Sequence, residues 1–354
     1  MKAGLSMLPE VISTINRYGE SPKIQLAQEF YLCRWISPSF WGALFVALAA
    51  VVSTLGFATT YSLINPKSGY IDKTGNVVIK PRFDWAGSFS EGLAPVRIKG
   101  KHGYINKSGN VVIGPTYMEA EQFREGLAPV AMNGKWGYID SKGRMVIQPQ
   151  FDLAEPFSEG LARVLFQDKY RFINHSGDTV LVPKLDWCGS FSEGLAVGGI
   201  SHRIVFIDKT GNVIIEVPGT WAEPFSDGLA LVNAGKPFGY RYGYIDKSGK
   251  MAIEPRYEWA EPFSEGLAAV NIGRKWGYID TSGRLVVQPR FDYAGLFSEG
   301  MAVVATARKT SFIDKAGREV LQIKYELVDP FSEGLALFTI EEKHEGHPQS
   351  SPRP

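Results

Sequence analysis

The chain has 354 residues, 44% of them apolar and 12% aromatic, with 38 glycines, 21 prolines and a formal charge of +1. That balance excludes a disordered tail protein, a collagen and a polytopic membrane protein. Residues 1–66 hold four basic and three acidic side chains, which leaves 34 of each sign in the rest. A body without basic excess argues against a nucleic-acid partner.

In chain order, residues 1–39 read as an N-terminal juxtamembrane segment. From Trp35 to Pro66 no residue is charged, and Phe40 to Ala58 is a nearly unbroken apolar run. Roughly 20 apolar residues cross the hydrocarbon core as a helix, so residues 40–62 are expected to be one transmembrane helix. Trp35, Trp41 and Tyr61 suit its interfaces. Gly56 and Ala58 give a small-x-small pattern that also fits signal cleavage, but 39 preceding residues are far too many for a signal n-region. The reading is therefore a single-pass membrane protein with its body expected on the extracytoplasmic side, an orientation that flanking charge does not decide. Cys33 and Cys188 lie on opposite sides of this segment, so no structural disulfide is expected, and the five scattered histidines show no zinc spacing.

Beyond it, FSEGLA or a near relative begins at Phe89, Phe123, Phe157, Phe191, Phe225, Phe263, Phe297 and Phe331, spaced by 34 residues except for one gap of 38. A second marker, GYID or similar, keeps the same rhythm from Tyr70 to Phe312 and shifts at the same insertion. Eight registered copies over residues 69–340 mean a tandem-repeat architecture. In Tyr70-Ile71-Asp72-Lys73-Thr74-Gly75-Asn76-Val77-Val78-Ile79, two β-favouring runs flank a polar turn. The aspartate accepts from turn amides and the glycine supplies positive φ, so the string predicts a hairpin with a G1 bulge. Each unit becomes an antiparallel meander of LAxV, GYID and NVVI strands, and the connector Pro81 to Glu91 has enough apolar anchors for a short fourth strand. Bulk on both strand faces implies that consecutive sheets stack against one another.

Lys135-Trp136-Gly137-Tyr138-Ile139-Asp140 and Lys275-Trp276-Gly277-Tyr278-Ile279-Asp280, followed by Gly143 or Gly283, by Pro149 or Pro289 and by FSEGLA, resemble the WG (KWG) repeat family over residues 69–340. The pattern weakens where the tryptophan position holds His102, Tyr170, Ile204, Tyr242 or Thr310, and where Gly219 stands for an aromatic. The resemblance implies an all-β repeat domain with no established catalytic activity and no functional residues to carry over.

The array begins with GYID and NVVI strands lacking a preceding LAxV strand and ends with an unpartnered LAxV strand at Leu335. Each end supplies what the other lacks. The fold class expected is an all-β tandem repeat of eight ~34-residue antiparallel meander units stacked as a propeller-like ring, the alternative being an open β-solenoid. A polar tail, 341–354, follows and is expected to be disordered.

The recurring acidic residue of FSEG (Glu91, Glu125, Glu159, Glu193, Asp227, Glu265, Glu299, Glu333) reads as a hydrogen-bond acceptor in its own turn rather than as a cation-binding ring. The loops between the LAxV and GYID strands are basic in every copy and read as a solvated rim, or as a positive crown for an anionic polymer. The single insertion falls in that loop of the fifth copy, and Lys236, Phe238, Tyr240, Arg241 and Tyr242 are the candidate partner-binding loop. No nucleophile–base pair, metal cluster or nucleotide fingerprint is present in the sequence, and no cofactor is expected. The function expected is a non-enzymatic, membrane-anchored module that binds a protein or an envelope polymer, the alternative being a structural spacer without a dedicated ligand.

Overall fold

The computed structural model describes residues 66–233, 241–307, 309–325 and 327–341. These residues form eight four-stranded antiparallel sheets. Blade 1 is typical: the two-residue strand Trp85–Ala86, then Leu93–Ile98, Lys101–Asn106 and Val111–Tyr117. The connector thus does supply a fourth strand, placed first in each sheet. Blades 2 to 7 begin at Glu119, Leu153, Trp187, Trp221, Trp259 and Tyr293.

Blade 8 is assembled from both ends of the array. Pro66–Asp72 and Val77–Phe83 join Leu335–Glu341 and Leu327–Val328, with Tyr70 opposite Leu337 and Asp72 opposite Leu335. The ring is closed, so the protein is an eight-bladed β-propeller and the open stack is set aside. Closure removes the two sheet faces that an open array would leave uncovered. No helix of the described residues is long and apolar enough to cross a membrane, and the expected span 40–62 lies outside them, as do residues 1–39 and 342–354.

Two turn types set the blade geometry. In the GYID hairpin, Gly75 has φ 84° and its amide donates to the Asp72 carbonyl at 2.9 Å. The Asp72 carboxylate accepts from the Thr74 and Asn76 amides at 2.9 and 3.0 Å. The G1-bulge turn is as the sequence predicts, with a register shift between Tyr70 and Ile71. The FSEG turn has positive φ at both central residues, 54° at Glu91 and 79° at Gly92, with Ser90 and Leu93 exchanging backbone hydrogen bonds. That is the type I′ geometry that joins twisted strands.

Packing follows from bulk on both faces of every sheet. Eight apolar clusters lie between neighbouring blades; one joins Tyr70, Ile79 and Phe83 of blade 8 to Phe89, Ala94, Val96 and Ile105 of blade 1. In each copy the GYID aromatic meets the next FSEG phenylalanine, as Tyr104 meets Phe123 with ring centroids 4.8 Å apart. In five copies the tyrosine hydroxyl also donates to a carbonyl at the start of the next blade; Tyr70 reaches Gly87 at 2.7 Å. A buried phenol therefore keeps its hydrogen bond.

The glycine of the Trp-Gly pair has its own steric reason. A Cβ at Gly69 would stand 2.5 Å from the Ile79 carbonyl oxygen and 2.7 Å from the Pro81 nitrogen. Gly103, Gly137, Gly243 and Gly277 are similarly hemmed in by the fourth strand, and in all five blades that strand runs seven residues. Where the position holds Arg171, Val205 or Ser311, it shortens to Thr179–Leu181, Val213–Glu216 or Glu319–Ile323. The glycine is what lets the proline-bearing strand pack close along its full length.

Candidate binding face

Antiparallel strand order gives the propeller two chemically distinct faces. The FSEG and GYID turns emerge on one, here the glutamate face. The loops between second and third strands, and the junctions between blades, emerge on the other, here the loop face.

On the glutamate face, each FSEG carboxylate accepts from the turn-glycine amide of the next blade. Glu91 reaches Gly126 at 3.0 and 3.3 Å, and the series continues around the ring until Glu333 reaches Gly92 at the same two distances. The sequence reading had each carboxylate serving its own turn. The structure corrects this, because the side chain extends away from its own hairpin and finds the amide one repeat away. Six serine hydroxyls run a parallel circuit, Ser90 donating to the Phe123 carbonyl and Ser332 closing on Phe89, both at 2.7 Å. Lysines from GYID turns join in: Lys73 with Glu299 at 3.0 Å, Lys107 with Glu333 at 3.1 Å and Lys315 with Glu265 at 3.2 Å. Burial opposes ionisation of Glu265 and Glu299, but the glycine amide and the lysine outweigh it and hold both carboxyls below their usual range. This face uses its repeated chemistry on itself.

The loop face differs in kind. Several of its basic residues are paired rather than free. Lys135 pairs with Asp152, Lys275 with Asp292 at 2.5 Å, Lys309 with Glu319 at 2.5 Å and Arg203 with Glu216 at 3.0 Å. What it exposes is aromatic: Trp85, Trp187, Trp221 and Trp259 each begin the first strand of a blade, and each is between 39% and 52% exposed.

Of the candidate loop, Lys236, Phe238 and Tyr240 lie outside the described residues. Arg241 pairs with Glu258 at 3.5 Å. Tyr242 stands between two tryptophans, edge-on to Trp221 at 6.1 Å and stacked on Trp259 at 5.7 Å. Tyr242, the described end of that loop, is thus part of the aromatic surface of the loop face. His102, at an aromatic repeat position, packs edge-on against Trp85 at 5.5 Å and reaches the Met118 carbonyl through Nδ1 at 2.8 Å, with burial holding its pKa below the usual histidine range. It is structural.

Sequence reasoning missed a set of partly buried carboxylates just after the first strand, at Glu121, Glu155, Glu223 and Glu261. Burial pushes Glu121, Glu223 and Glu261 up to about 7, with Glu119 adding to the effect at Glu121 and Glu223 adding to it at Glu261. The signal was present as an AEPF or AEQF variant of the connector, where three copies carry Gly87, Gly189 and Gly295 and the eighth carries Asp329. Among the described residues no group of three or more histidine, cysteine or acidic side chains is placed to hold a metal ion, and Cys188 is free and buried.

Comparison with known proteins agrees with this architecture. Among solved structures, a eukaryotic initiation factor superposes with a TM-score of 0.51 at 9% identity, covering 74% of this chain and 86% of that one. Hsv2 of Kluyveromyces lactis, with one loop replaced by a Gly-Ser linker, gives 0.42 at 9% identity over 73% and 96%. A puromycin hydrolase gives 0.41 at 13% identity over 67% and 53%. The first likeness, at 9% identity, is one of fold alone, and the other two, with scores below 0.5, carry no argument. No curated protein matches the sequence. The family model described as WG containing repeat matches eight consecutive stretches, 69–101, 103–136, 136–170, 170–197, 206–236, 242–276, 276–306 and 311–343. The chain belongs to the WG repeat family.

Proposed function

We propose that the protein is a non-enzymatic binding module that presents its loop face to a protein or an envelope polymer, anchored to a membrane through residues 40–62 with the propeller on the extracytoplasmic side. The supporting observation is the contrast between faces: one face's recurring polar groups are satisfied within the ring, while the other exposes tryptophans and carries the sole irregular loop of the array. Half-exposed tryptophan beside hydrogen-bonding groups is the composition of recognition surfaces. The runner-up, a rigid spacer, predicts no dedicated ligand.

Capture from envelope extracts by the full chain, with and without residues 236–242, separates the two. A partner retained by the intact chain and lost on deletion supports the module, and no partner with either supports the spacer. Protease added outside intact cells reports the side of the membrane; a propeller left whole there, but cut after permeabilisation, would place it inside.

A further inference from the structure

We propose that the crevice between blades 6 and 7 is a receptor for one arginine side chain of a protein partner, its guanidinium seated between the Glu261 carboxylate and the Trp276 ring. This rests on the binding-module reading and names what the loop face recognises.

Blade 3 supplies the template. There Arg163 donates to Glu155 through Nε at 2.9 Å and through Nη2, while its Cζ lies 5.0 Å from the centroid of the Tyr170 ring. Ser190 of the next blade donates to the same carboxylate at 2.6 Å. A carboxylate, an aromatic face and a planar cation are thus assembled in one interblade crevice, an arrangement suited to guanidinium.

Blade 6 has the same arrangement without the cation. The Glu155 amide bonds the Arg163 carbonyl as the Glu261 amide bonds the Ala269 carbonyl, and Tyr170 and Trp276 occupy the same rung of their sheets, opposite Leu165 and Asn271. Glu261 therefore replaces Glu155 and Trp276 replaces Tyr170, but Ala269 stands where Arg163 does and Leu296 where Ser190 does. Both internal partners of the carboxylate are gone while the carboxylate and the ring remain. Among the described residues no cation pairs with Glu261. Blade 5 keeps Glu223 and Tyr242 but fills the arginine position with Leu231, and blade 2 keeps Glu121 and Trp136 but places Pro129 there, so blade 6, with alanine, has the smallest side chain of the three at that position.

A second, independent feature points to a ligand. Asn271 is 8% exposed, and among the described residues its side chain has no hydrogen-bond partner. It lies directly between Trp259 and Trp276 in the ladder, so its amide emerges from the same face of the sheet as both indoles. A carboxamide held there accepts from a guanidinium N–H that the carboxylate leaves unpaired.

The test uses the full chain in detergent with 15N-labelled tryptophan. The probe is N-acetyl-arginine amide, which carries one guanidinium and no other charge, and its control is N-acetyl-citrulline amide, the uncharged isostere. The expected result is a saturable shift of the Trp276 and Trp259 indole signals with the arginine probe alone, weakened about tenfold or more in Glu261→Gln and abolished in Ala269→Arg, which fills the seat from within. Glu155→Gln, in the crevice already occupied, leaves the shift unchanged. An equal shift with the citrulline probe, an equal shift in Glu261→Gln, or none in the wild type overturns the proposal. Because the readout needs no captured partner, failure of this crevice is distinguishable from failure of the binding-module reading. A partner still captured by Ala269→Arg would remove the crevice while leaving that reading in place.

Discussion

The two faces of this propeller use charged side chains differently: on one they bond from blade to blade, on the other from a loop to its own blade's edge. On the glutamate face, glutamate occupies a positive-φ turn position in seven of eight copies, where asparagine or aspartate would be easier. A local preference broken so regularly has a compensating cause, and here it is the reach of the longer side chain to the next blade's amide. On the loop face the ion pairs link the loop to the fourth strand or to the junction that follows it. The repeated FSEG carboxylates tie each blade to the next.

Substitutions sharpen this contrast. The largest effect is expected inside the interblade clusters: Phe123→Ala, fully buried against Tyr104, should destabilise by about 3–5 kcal/mol in denaturant unfolding. Gly137→Ala forces a methyl onto the neighbouring strand's backbone and should lose about 1–3 kcal/mol, whereas alanine at the exposed turn position Lys142 should change little. Glu159→Gln, which keeps a hydrogen bond to Gly194 but loses its charge, should lose about 1 kcal/mol. Trp259→Ser on the loop face should stay within about 0.5 kcal/mol, since a half-exposed side chain has little burial to lose.

The faces should also part in their response to pH. Glu265 and Glu299 have depressed pKa values in the fold, so their contribution is present above the ordinary glutamate value of 4.5 and is lost as pH falls through the folded value. Glu223 and Glu261 are raised to about 7, so the fold favours their protonated forms and gains stability as pH falls from above 7 toward 4.5. The melting temperature should therefore peak near pH 4.5, and Glu261→Gln should reduce the fall on the alkaline side alone. A monotonic profile would contradict the assignment.

Much of this architecture is legible in the sequence because each hairpin encodes itself. Asp72, Thr74 and Gly75 specify a turn whose partners all lie within four residues, and the missing and surplus strands at the array ends predict closure. Contacts between copies are less legible. The Glu91 to Gly126 bond spans 35 residues, and a reading confined to one repeat assigns the carboxylate to its own turn. The paired lysines of the rim are similar: Lys67, Lys135 and Lys275 each find an aspartate 17 residues on, an offset that can be read from the sequence once sheet order is known. The crevice carboxylates were obscured because Glu261 sits in a connector whose variation among copies reads as tolerance.

The most direct measurement is site-specific photo-crosslinking of the full chain in cells that express it naturally, with the crosslinking residue at Ile272, exposed on the loop face, or at Lys142, exposed on the glutamate face. The account predicts a discrete adduct from position 272 and none from 142. Adducts from 142 alone, or from neither position, would contradict it.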